Sequence, residues 1–103
     1  MDPANIRILI GEDDGIVALD LQNQLGQLGY QVEGRTGTPH DMVLLATDLK
    51  PDVIVLDFNI DGDTHGLETA KRIHQIAEIP IVFVTTYATD VRESRGATIL
   101  STS

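Results

Sequence analysis

Three stretches of this chain carry side chains that could do chemistry together. Glu12-Asp13-Asp14 places three carboxylates in a row behind the apolar run Ile8-Leu9-Ile10. Asp57 ends the apolar run Val53-Ile54-Val55-Leu56, and Thr85-Thr86 ends Ile81-Val82-Phe83-Val84. Carboxylates gathered at roughly 4–5 Å in an effective dielectric near 20 repel by about 3–4 kcal/mol per pair. A divalent cation relieves that repulsion, and hard oxygen ligands with several waters suit Mg²⁺. An aspartate beside Mg²⁺ can act as a nucleophile that accepts a phosphoryl group. A hydroxyl on a neighbouring strand, such as that of Thr85, can hold one phosphoryl oxygen. Each acid alone could simply begin a solvated loop; the joint arrangement points to a site.

That arrangement depends on the elements that deliver the residues. Pro51 sets the start of the central run and forbids a helix through it. Four apolar residues without a break suit a strand buried on both faces, as in a parallel sheet. Ile6 to Ile10 reads as an earlier strand closed by Gly11. Tyr30-Gln31-Val32-Glu33-Gly34 alternates, as a half-buried strand does. Between them, Val17, Leu21, Leu25 and Leu28 recur at helical spacing, with Asp14 as N-cap and Gly29 just past the end. Thr38-Pro39 is an N-cap followed by a proline at the first helical position, for a helix from His40 to about Leu49. It should bury Met42 or Val43, Leu45, Ala46 and Leu49. Gly66 to Ala77 reads as the next helix, with Leu67, Ala70, Ile73, Ile76 and Ala77 inward, broken by Glu78-Ile79-Pro80. Strands and helices alternate, which predicts a parallel sheet covered on both faces through right-handed crossovers. All strands then point one way, so the three chemistry-bearing ends share one edge, where open α/β sheets place their ligands.

Bulk properties narrow the function. A length of 103 residues is one domain. The formal net charge of −9 argues against a nucleic-acid surface and favours cationic partners or ions. Without cysteine there is no disulfide or thiolate metal site. The apolar runs fall far short of the roughly 20 residues of a membrane span. The start, Met1-Asp2-Pro3-Ala4-Asn5, lacks the features of a signal peptide, so the cytoplasm is expected.

With these pieces in place, the chain resembles the receiver domains of two-component response regulators, the CheY-like family. The matching pieces are Ile8-Leu9-Ile10-Gly11-Glu12-Asp13-Asp14, Pro51 to Asp57, Gly66-Leu67-Glu68 with Ala70, and Ile79 to Thr85. Ala18-Leu19-Asp20-Leu21 and Leu28-Gly29-Tyr30 also look like one branch of it. The resemblance implies a flavodoxin-like doubly wound sheet of strand order 2-1-3-4(-5). It implies that Asp57 is the phosphoacceptor, that Glu12, Asp13, Asp57 and the backbone carbonyl of Asn59 surround Mg²⁺, and that Thr85 binds and reports the phosphoryl group. Thr86 beside it would narrow access. The donor would be a sensor histidine kinase or a histidine phosphotransfer protein.

The chain departs from the family after Ala88. Thr89 to Arg95 is about a helical turn short. Gly96-Ala97-Thr98-Ile99-Leu100-Ser101-Thr102-Ser103 reads as the start of a fifth strand, degenerate in that Ile99 replaces the family's aromatic and Thr102 its lysine. Lys50 and Lys71 are the only lysines, and neither matches that position. The closing helix is missing, so residues 1–103 read as a receiver truncated at its C-terminal end. The phosphoryl group loses a cationic partner, and one sheet face and an edge strand lose their cover. A homodimer or an exchange of C-terminal segments would supply it.

Other readings compete. Asp57 to Glu68 satisfies the calcium-loop pattern of EF-hands, but such loops lie between helices. Haloacid-dehalogenase phosphatases need a second aspartate where Asn59 stands. His40, His65 and His74 share no metal-ligand spacing. Tyr87 reads as a packed surface aromatic. The sequence therefore describes a phosphorylation-dependent switch rather than a turnover enzyme. The alternative is a degenerate receiver that is never phosphorylated and works as a protein-interaction module.

Overall fold

The computed structural model describes residues 2–62 and 65–85, and the backbone of residues 97–101. Thr86, Tyr87 and Thr102 lie outside the described residues. In chain order the elements are β1 (Arg7–Gly11), α1 (Gly15–Gln27), β2 (Gln31–Thr36), α2 (Pro39–Leu49), β3 (Val53–Asp57), α3 (His65–His74), β4 (Ile81–Thr85) and β5 (Ala97–Ser101). Short 3₁₀ turns cover Pro3–Asn5 and Ile60–Gly62.

The five strands form one sheet in the order β2-β1-β3-β4-β5, and every pairing is parallel. This is the doubly wound order expected from the sequence. The fifth strand pairs with β4 from Ile81↔Ala97 to Thr85↔Ser101. The β1–β2 register slips between Ile8 and Leu9, an irregularity that the alternating pattern of Tyr30–Gly34 did not reveal.

Helices cover both faces. On one, Leu9, Ile54, Leu56, Ile81 and Phe83 pack against Met42 and Ala46 of α2 and Ala70 and Ile73 of α3. On the other, Ile8, Ile10, Val55 and Val84 pack with Leu21 and Leu25 of α1. The central strands contribute to both clusters, which is why their sequences read as unbroken apolar runs.

The helix ends follow the sequence signals. The Asp14 carboxylate accepts from the Ile16 and Val17 amides at 2.9 and 3.3 Å. Gly29 takes φ +96° just past the end of α1. Thr38 Oγ1 accepts from the Asp41 amide at 3.2 Å, with Pro39 opening α2. One inward position, Ile76, is corrected, and one apolar position of the α1 pattern, Leu28, lies outside the core. The helix α3 ends at His74 rather than Ala77, so Ile76 lies in a turn and is 57% exposed. The buried residue there is Ile79, and His74 Nε2 lies 2.9 Å from its carbonyl oxygen. Leu28 is the C-cap of α1 and is exposed; the buried residue of that helix is Ala18, which is small enough to let α1 approach the sheet.

At the amino edge of the sheet, Arg7 ties four segments together. Its Nε and Nη2 donate to the two Glu33 carboxylate oxygens at 2.7 and 2.8 Å. Its Nη1 donates to the Lys50 carbonyl at 3.1 Å, and Nη2 also meets the Leu49 carbonyl at the end of α2. Its amide donates to Asp52 at 2.8 Å. The opposite, carboxyl edge carries Glu12, Asp13 and Asp57.

Candidate functional site

Glu12 follows the last residue of β1 and is almost fully buried. Its amide donates to the Thr36 carbonyl at 2.9 Å, tying the end of β1 to the end of β2. Its carboxylate accepts from the Asp14 amide at 3.1 Å. Asp13 is exposed beside it. Asp57 ends β3 and is half-buried, and its Oδ1 accepts from the Asn59 amide at 3.1 Å. One carboxylate oxygen from each of Glu12, Asp13 and Asp57 falls within 4.8 Å of the others. The third acid of the row, Asp14, is spent on capping α1.

The β3–β4 register places Val84 opposite Asp57, and the Phe58 amide donates to the Val84 carbonyl at 2.9 Å. Thr85 is the next residue and is buried at the same edge. Asn59 sits in the turn directly behind Asp57. Thus five expected positions (Glu12, Asp13, Asp57, Asn59 and Thr85) come to the carboxyl edge. Thr86, the sixth, lies outside the described residues.

Electrostatics follow from this crowding. Burial is the largest cause that pushes the Glu12 carboxyl up from 4.5 to about 7. The negative charges of Asp57 and Asp13, and a hydrogen bond shared with Asp57, push the same way, while the Asp14 amide opposes. Burial also raises Asp57, against the stabilising Asn59 amide. A pocket that strains to keep its acids charged suits a hard dication with oxygen ligands. The residues present therefore fit a divalent metal ion.

Two glycines, neither singled out as a site residue from sequence, let the loops close on the acids. A Cβ on Gly37 would lie 2.9 Å from Asp13 Cα. A Cβ on Gly66 would lie 2.5 Å from the Asp57 carbonyl oxygen and 2.6 Å from that of Phe58. The Gly66 amide also donates to the Phe58 carbonyl at 3.0 Å. In sequence both read as ordinary loop or helix-start glycines, because the backbone that each meets is 8 or more residues away. The residues Arg35, Thr36 and Gly37 also wall a cleft of about 210 Å³ with Glu12, Asp13 and Ala18, and only the fold shows that.

The calcium-loop alternative does not survive. Asp57 belongs to a strand whose preceding residues are buried in the sheet, so no helix enters the loop.

The chain matches the family model of the response regulator receiver domain over residues 8–99. It is 32% identical over 82 residues to the transcriptional regulatory protein PdtaR of Mycobacterium tuberculosis, covering 80% of this chain and 40% of that protein. This chain thus spans less than half the length of that relative. Among solved structures it is similar to the signal receiver domain of a modulated diguanylate cyclase from Desulfovibrio desulfuricans G20. The identity there is 35% and the TM-score 0.74, over 82% of this chain and 68% of that one. It is also similar to the anti-anti-sigma factor PhyR of Bartonella quintana, solved in complex with the anti-sigma factor NepR. That match has 28% identity and a TM-score of 0.71, over 76% of this chain and 32% of the other.

Proposed function

The chain belongs to the response regulator receiver domains, and from that premise we propose that it is a phosphoacceptor in a phosphorelay, with Asp57 as the acceptor. The observation that carries this reading is the meeting of Glu12, Asp13 and Asp57 within 4.8 Å at one sheet edge. An Asp57 carboxylate oxygen attacks the phosphorus of a phosphohistidine on a sensor kinase or phosphotransfer protein. The P–N bond breaks, the imidazole leaves with the electron pair, and an acyl phosphate forms on Asp57. The Asn59 amide already holds the other geometry-setting contact to Asp57, and the Thr85 hydroxyl is the neighbour that would take a phosphoryl oxygen. Glu12, Asp13, Asp57 and the Asn59 carbonyl would hold Mg²⁺, which when bound supplies neutralising charge for the phosphoryl oxygens.

Incubation with acetyl phosphate and Mg²⁺ tests this by intact-mass spectrometry. One phosphoryl group per chain, absent in Asp57→Asn, supports it; an unmodified wild-type chain removes it. The reading makes the chain a switch and not a turnover enzyme, so small phosphate esters should show no sustained hydrolysis. A kinase charged from ATP works in the cytoplasm, which is where this reading puts the chain. A second copy packed along the β5 side of the sheet belongs to the same reading. Light scattering with and without beryllofluoride decides it, a mass of one chain in both states removing the dimer.

A second reading is favoured by one observation: no lysine stands at the position that the family reserves for one. A receiver of this kind could act through protein contact alone, without phosphorylation. The PhyR–NepR complex is an instance of a structurally similar protein bound to a protein partner. The acetyl phosphate experiment separates the two readings.

A further inference from the structure

The slip in the β1–β2 pairing has a chemical consequence. Ile8 faces Val32, but Leu9 faces Gly34, which leaves Glu33 as an extra residue in β2. Such a bulge exchanges the faces taken by every later side chain of its strand. Val32 lies with Ile8 on the α1 face of the sheet. Strict alternation would send Gly34 and Thr36 to that face after it. Instead, Gly34 meets Leu9 and Leu49 on the α2 face, and Arg35 comes level with Ile10 on the α1 face. There Arg35 lines the cleft that it shares with Glu12 and Asp13. The bulge is pinned, because both oxygens of Glu33 are held by Arg7. Among the described residues Arg35 forms no ion pair, and it is the only basic side chain on the wall of that cleft.

We propose that Arg35 is a positive charge on the wall of the acidic cleft that lowers the affinity of the cluster for a divalent cation. The proposal rests on the reading of the site as a Mg²⁺ site, and it concerns a positioning residue rather than one that touches the phosphoryl group. A dication entering the cluster is repelled by a unit charge on the cleft wall. Because Arg35 is exposed, solvent and salt screen that repulsion, which leaves an effect of about two- to fivefold on the dissociation constant at roughly 0.1 M salt.

The test is a Mg²⁺ titration by calorimetry on the full chain at about pH 8, where Glu12 is mostly ionised. Arg35→Lys keeps the charge and should bind as the wild type does. Arg35→Gln should bind about two- to fivefold tighter and Arg35→Glu tighter still, with the differences collapsing at about 1 M salt, where the screening length is only about 3 Å. Lys50→Asn removes an equal charge at the far end of β3, about 16 Å of strand away, and should change nothing. Folded Gln and Glu variants that bind as the wild type does, or more weakly, overturn the proposal while leaving the site standing. A wild-type chain that binds no Mg²⁺ overturns the reading of the site and the role of Arg35 with it.

Discussion

At the scale of single residues, the site is a contest between burial and charge. Glu12 has a folded value near 7 against an ordinary 4.5. A raised value means that folding favours the protonated acid. Its contribution to stability is complete below about pH 4.5 and is lost as pH rises through about 7. Without metal, the protein should lose on the order of 1–2 kcal/mol across that window, after allowance for solvent screening. With Mg²⁺ the trend reverses, since the ion needs the carboxylate and stabilises more as pH rises. Thermal melts between about pH 5 and pH 8, with and without Mg²⁺, check both slopes; parallel curves would contradict the account. Asp57→Asn should raise the melting temperature of the metal-free protein at neutral pH, because burial and the Asp13 charge disfavour the ionised acid. The same substitution should remove the Mg²⁺-induced stabilisation.

At the scale of elements, three strand ends and two loops hold the acids in place. Gly66→Ala puts a methyl group against backbone oxygens that have no room to move. It should cost about 1–3 kcal/mol, read by denaturant unfolding, and an unchanged midpoint would be inconsistent with the packing of α3 on the Asp57 turn. Much of this framework is legible in the sequence because its causes are local. The unbroken run Val53–Leu56 needs two apolar faces, and Asp14, Thr38 and Gly29 mark helix ends by chemistry that acts within a few residues. What escapes is tertiary. The bulge at Glu33 depends on a pairing with β1 and on Arg7, 26 residues earlier. The end of α3 at His74 depends on the buried Ile79 that follows, and the apolar Ile76 gave a false signal of continuation. The acids themselves were visible as types at strand ends, but their convergence rests on the strand order, which the resemblance to receivers supplied.

At the scale of the whole molecule, a parallel sheet with Glu12, Asp13, Asp57 and Thr85 gathered on its carboxyl edge couples the core to the site. Phe83 is fully buried, and its ring meets Phe58, the residue after Asp57, edge-on at 5.5 Å and 79°. Phe83→Ala should cost about 3–5 kcal/mol, measured by chemical unfolding, with residual folded protein binding Mg²⁺ less well as the Phe58 turn loosens. Among the described residues no helix is long and apolar enough to cross a membrane. The central claim is that one sheet edge makes Asp57 a metal-dependent phosphoryl acceptor. Fluorine NMR of beryllofluoride tests it most directly, because that anion mimics the phosphoryl group without a chemical step. The account predicts a bound signal in the wild-type chain that requires Mg²⁺ and vanishes in Asp57→Asn. No bound signal at saturating Mg²⁺, or one that survives in Asp57→Asn, would contradict it.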